Sequence, residues 1–152
     1  MERQFTRFYN REIEQFAHLH KNNSVCMIGL TPKHPLITGS SKIVSVEYSK
    51  AAASSEALGK RKRGALGLRP DTAVCTITTA DGVAHRINAQ VNADLVEINE
   101  RLAQHPDLLV REPEGAGFLC ICLTRAESNM GKCFPGFTKE GYIMKFRNRD
   151  DS

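Results

Sequence analysis

Two alternating runs that meet at Asp81-Gly82 constrain this chain more than any other feature. From Ala73 to Thr79, Val74, Thr76 and Thr78 alternate with Cys75 and Ile77, and the β character resumes from Val83 to Val91. Period-two patterning places successive side chains on opposite faces of a strand, and Asp-Gly supplies the positive-φ residue that a tight hairpin turn demands. A lone hairpin is marginal in water, so further strands must cover it. Four segments offer them: Val25 to Leu30, closed by Thr31-Pro32; Lys42 to Ser49, with Ile43, Val44, Val46 and Tyr48; Asp94 to Ile98; and Phe118 to Leu123. Each is short, β-branched or apolar, and bounded by turn residues.

The remaining segments are less regular. Phe5, Phe8, Tyr9, Ile13, Phe16 and Leu19 fall at mostly helix-like or irregular spacing, which predicts a short arm and a helical turn lying on the core. Ala51 to Ala57 is small and polar without a pattern, and reads as a mobile loop. Asn99 to Gln104 reads as a helical turn stopped before His105-Pro106, and Thr138 to Arg147 as a short helix with Thr138 as its N-cap. At 152 residues one core is expected. The division is an aromatic arm over 1–23, a β domain over 24–124, and a charged C-terminal extension over 125–152.

Hydrophobic residues make up 41% and charged residues 25%, ordinary values that exclude disorder and fibrous repeats. No apolar run reaches the roughly 20 residues of a membrane span, and Met1-Glu2-Arg3-Gln4 lacks the apolar heart of a secretory signal. These features predict an intracellular protein with no membrane partner. Five cysteines, an odd number set mostly among apolar neighbours, read as reduced and buried thiols. The net charge of +4 suits acidic partners, whether nucleic acid, protein or anionic lipid.

Lys60, Arg61, Lys62 and Arg63 form a basic turn between Gly59 and Gly64, which offers an acidic partner four adjacent cations and doubles as a candidate nuclear import signal. The plainer reading is a solvated loop. Phe5, Phe8 and Tyr9, with Phe16, either cover the core or form an apolar docking face. Cys120 and Cys122 share one strand face, but zinc sites need a second donor pair; Cys133 and His105 could be enlisted, though nothing in the sequence requires it. Core packing explains them more simply. His18 and His20 have no carboxylate in a tight motif beside them, and Ser24, Ser40 and Ser41 lack a nucleophile elbow. No phosphate-cradling glycine loop appears. No catalytic residue, metal or cofactor is therefore assigned.

Asp94-Leu95-Val96-Glu97-Ile98-Asn99-Glu100-Arg101-Leu102, Pro106-Asp107-Leu108-Leu109 and Glu114-Gly115-Ala116-Gly117-Phe118-Leu119 resemble the second half of glycine cleavage system H proteins. With Gly59 to Gly64 as the upstream turn, the likeness runs from Gly59 to Leu123. It implies a mainly β barrel-sandwich hybrid with short flanking helices, in which a lipoyl-lysine stands at a hairpin tip. Counted back from Leu95-Val96-Glu97 without a gap, that lysine position falls on Gly82 and its preceding glutamate on Thr79. Glycine offers no amine, so the resemblance implies the scaffold without its arm. Met144-Lys145-Phe146 superficially resembles a biotinyl site, but no hairpin pattern surrounds it.

Phe5-Thr6-Arg7-Phe8-Tyr9, Ser24 to Leu30, His34-Pro35, Ile43 to Tyr48 and Lys62-Arg63-Gly64-Ala65 together resemble the Simiate family, also called Abitram or actin-binding transcription modulators. This resemblance implies binding to monomeric and filamentous actin, an influence on filament assembly, and a nuclear pool at speckles acting on transcription. It also implies a cytoplasmic pool that reaches actin-rich protrusions, with other nuclear proteins as further partners. Two alternatives stay open: a nucleic-acid-binding module using the basic turn, and a degenerate lipoyl-domain accessory protein. Self-association is left open.

Overall fold

The computed structural model describes residues 4–20, 24–57, 66–124 and 130–144. In chain order, β1 (Gln4–Asn10), β2 (Gln15–His20) and β3 (Val25–Leu30) precede α1 (Pro35–Thr38), β4 (Ile43–Tyr48) and α2 (Lys50–Ala57). Then come β5 (Gly67–Leu68), β6 (Ala73–Thr79), β7 (Ala84–Asn88), β8 (Ala93–Ile98), α3 (Glu100–Gln104) and α4 (Leu108–Arg111). β9 (Cys120–Thr124), α5 (Met130–Cys133) and β10 (Thr138–Met144) follow. A seven-stranded sheet runs β10-β1-β2-β3-β9-β8-β5 and a three-stranded sheet runs β4-β6-β7. The described residues thus form the mainly β architecture with short helices that the sequence predicts.

The Asp81-Gly82 hairpin is present as β6 and β7, in antiparallel register with Ile77 opposite His85. Gly82 takes φ +86°, the left-handed conformation for which a glycine serves best. One hydrophobic cluster joins the two sheets, with Ile77 and Val74 from one and Leu30, Leu95 and Cys120 from the other. All five thiols are buried there and form no disulfide with one another, which fits core packing. Asn99 caps α3, its side chain accepting from the Arg101 amide.

Three local expectations are overturned. Residues 5–19 form strands β1 and β2 with no helical turn: Thr6, Phe8 and Asn10 point inward and are buried, while Phe5, Arg7 and Tyr9 face the other way and are half-buried. Two of those inward residues are polar, which hides the alternation. Residues 138–144 form strand β10, which pairs with β1 and starts no helix at Thr138. Residues 51–57 belong to α2, where alanines with the highest helix propensity follow Ser49, whose hydroxyl accepts from the Ala52 amide. Ala52 is fully buried, so α2 packs on the core and is no loose loop.

Candidate functional site

Alongside the β6–β7 hairpin lies a cleft of about 670 Å³. Its walls come from the β1–β2 turn, from the segment leading through α1, and from the hairpin itself. The first wall includes Glu12, Ile13 and Glu14; the second Lys33, His34 and Leu36; the third Thr79, Asp81 and His85 to Asn88. The volume falls within the range of ligand-binding clefts, roughly 300–1,000 Å³.

Local chemistry holds each wall in place. Glu14 adopts φ +54°, a strained conformation for a side-chain-bearing residue. The Tyr9 hydroxyl, 2.9 and 3.0 Å from its two carboxylate oxygens, and the Thr31 hydroxyl donate to it. Burial pushes the Glu14 carboxyl up, but these donors outweigh it and leave it below its ordinary value. Gln90, at the far end of the cleft, is also left-handed, with φ +62°.

On the second wall, His34 Nδ1 accepts the Leu36 amide at 3.1 Å, capping α1. That bond requires an unprotonated Nδ1. Burial lowers the His34 basicity, Glu14 opposing and His85 reinforcing the shift. On the third wall, the Thr79 hydroxyl donates to Asp81, and the Val83 amide reaches the same Asp81 oxygen at 3.3 Å. The Thr79 hydrogen bond, chiefly, keeps Asp81 below the usual carboxylate range.

Gly82 stands at the turn beside this cleft, and a Cβ built on it would meet nothing within 4 Å. Thr79, by contrast, is buried, and its hydroxyl closes the turn. The basic segment Lys60 to Arg63 lies outside the described residues, as do Lys145 and Phe146. Phe8 is 5% exposed and stacks on Phe134 at 4.4 Å, so it is a core residue. Phe5 and Tyr9 are half-buried, Phe5 against His18 and His20, and Tyr9 beneath the Arg7 guanidinium at 5.1 Å.

The fold supplies His18 with a carboxylate that no local motif suggests: its Nε2 lies 3.0 Å from Glu114. Arg7 joins the same carboxylate. Glu114 lies inside the H-protein-like motif, whereas no local pattern marks Glu14 or His34 as cleft residues. Among the described residues, no group of three His, Cys, Asp or Glu side chains is placed to hold a metal ion. Cys120 and Cys122 do share a face, with their sulfurs 3.9 Å apart in the core. Ser40 and Ser41 line the cleft beside the hairpin, among charged and apolar neighbours.

No protein-family model matches the chain. Curated relatives do. A Gallus gallus protein named Abitram is 30% identical over 159 residues, covering 99% of this chain and 92% of the relative. The chain belongs to the Abitram family. Its Drosophila melanogaster member is 28% identical over 99% of this chain and 72% of the relative, and its Homo sapiens member 28% identical over 85% and 76%. A glycine cleavage system H protein from Mycobacterium marinum is a structural neighbour, with a TM-score of 0.62 over 96% of this chain and 97% of that one, at 11% identity. This Abitram-family chain therefore has the barrel-sandwich hybrid fold, and at that identity the likeness speaks for fold alone.

Proposed function

We propose that this Abitram-family protein is a non-enzymatic binding protein that engages actin as monomer and filament, influences filament assembly, and has a nuclear pool that modulates transcription. Family membership carries the proposal. It is supported by the hairpin apex: Gly82 occupies the turn where H-protein resemblance places the prosthetic lysine, and it has no side chain to load. Work then falls to surfaces, and the cations of Lys60 to Arg63 suit the acidic surface of an actin subunit. Phe5 and Tyr9, half-buried on the face of β1 opposite Phe8, are a second candidate contact.

Replacing Lys60, Arg61, Lys62 and Arg63 by alanine is expected to lower both actin co-sedimentation and nuclear accumulation. Added salt should weaken the wild-type actin contact as the screening length falls from about 10 Å at 0.1 M toward 3 Å at 1 M. Unchanged co-sedimentation and localisation in the four-alanine protein would remove the basic turn from the account. The same four cations favour a second reading, nucleic-acid binding. Affinity for RNA or DNA with a steep salt slope, and none for actin, would establish it instead.

A further inference from the structure

The three-stranded sheet ends at β7, and among the described residues no strand pairs its outer side. The Thr79 amide donates to Val83 O at 3.1 Å, which fixes the phase of the ladder. In an antiparallel pair, hydrogen-bonded and non-hydrogen-bonded positions alternate. His85 and Ile87, opposite Ile77 and Cys75, therefore bond inward to β6. Ala84 and Arg86, opposite Thr78 and Thr76, turn their amides and carbonyls outward.

That open edge runs along the cleft. His85, Arg86, Ile87 and Asn88 all line it, and consecutive strand residues point to alternate faces, so a cavity touched by all four follows the strand's edge. Across the cleft stand the Glu14 turn and α1, both held by the bonds described above. Uncharged partners hold the ionisable groups in place: Tyr9 and Thr31 hold Glu14, Thr79 holds Asp81, and Asn88 and the Asp71 carbonyl hold Arg86. Glu12 and Lys33 are the other full charges in the lining.

We infer that this cleft takes an extended peptide strand from a partner protein, which adds to the β7 edge through Ala84 and Arg86. Strand addition draws affinity from main-chain hydrogen bonds and selectivity from alternate side-chain pockets. Because the cleft mixes three carboxylates, Glu12, Glu14 and Asp81, with two cations, Lys33 and Arg86, recognition rests on the peptide's main chain and not on its charge. β7 spans five residues, roughly 17 Å of extended chain, and sets the length of the paired segment. The inference goes beyond actin binding and does not depend on it.

The test pans a phage library of random linear decapeptides against the intact protein and synthesises the enriched sequence. Binding should slow hydrogen exchange at the Ala84 and Arg86 amides. Arg86→Pro deletes an outward donor and leaves the inward ladder whole, a change edge strands tolerate. It should weaken binding about tenfold or more, whereas Arg86→Ala, which keeps the amide, should stay within about threefold. Several results would overturn the inference: no enriched peptide, exchange protection elsewhere, or equal losses in the two variants. Peptide-free self-association abolished by Arg86→Pro would assign the edge to a second copy of this chain instead. If Arg86→Pro fails to fold, amide protection on the wild-type protein decides alone.

Discussion

Arg7 and Glu114 lie 107 positions apart in sequence, yet Arg7 Nε donates to a Glu114 oxygen at 3.1 Å while the guanidinium's Nη2 meets the other oxygen. A fork-to-carboxylate contact of this kind is stronger and more directional than a point-charge pair. His18, on the neighbouring strand, reaches the same carboxylate. The three side chains fasten the β1–β2 hairpin to the loop that precedes β9.

This fastening is sensitive to acid. Burial raises the Glu114 carboxyl, but hydrogen bonds from His18 and Arg7 outweigh burial and hold it below its ordinary value of 4.5. A carboxyl depressed by folding contributes stability that is complete above its unfolded pKa and is lost as pH falls through the folded one. Glu114→Gln should therefore destabilise the protein by about 1–3 kcal/mol at neutral pH. The difference from wild type should shrink as pH drops below 4.5 and vanish once the wild-type carboxyl is protonated. Urea unfolding across that window measures it; a difference that stays constant with pH would rule out the carboxylate's charge as the source.

Asn99 organises the other end of the same motif. Its side-chain amide donates to the Ala116 and Phe118 carbonyls at 2.8 and 2.9 Å, while its oxygen caps α3. Being only 4% exposed, it leaves those carbonyls dry if removed. Asn99→Ala should cost about 2–4 kcal/mol. Asn99→Asp keeps the cap but aims an acceptor at two carbonyls, so thermal denaturation should find it nearly as damaging at neutral pH. An aspartate as stable as wild type would show that capping, and not donation, is what matters.

Gly117 is required by a close approach. A Cβ there would sit 2.3 Å from the Leu108 carbonyl oxygen, a backbone atom that has nowhere to retreat. Gly117→Ala is expected to destabilise by about 1–3 kcal/mol, as overpacked sites do. A melting temperature equal to wild type would refute the steric account.

The thiols should be inert in the native state. Burial pushes the Cys75 thiol up to about 12, and Cys120 is raised by its hydrogen bond with Cys122 and by burial. Nucleophilic attack requires the thiolate. An aromatic disulfide reagent at neutral pH should label none of the five quickly, and all five once denaturant is added. Fast native labelling of any one would contradict its burial.

What was legible in the sequence follows from how local each signal is. β3, β4 and β6 announce themselves because their inward residues are mostly apolar or β-branched over a single short run, and Asp81-Gly82 ties β7 to β6. β1 does not, since Thr6 and Asn10 take inward positions beside Phe8 and the strand's identity depends on partners at both ends of the chain. β10 fails for the same reason: its Tyr142 lies opposite Thr6 only after the sheet has assembled. The H-protein-like motif marks Glu114 and Asn99 as notable but not what they bond. The cleft is invisible in one dimension, because its three walls come from segments about 20 to 50 residues apart that no periodicity connects.

The pairing of β1 with β10 bears on how the protein comes into being. β1 is synthesised long before β10, so one of its sides stays unmatched until Thr138 to Met144 are made. Closing so large a loop is slow in entropic terms. Until then Phe8 lacks the Phe134 ring against which it stacks, and the nascent chain presents an adhesive margin of the kind that chaperones recognise.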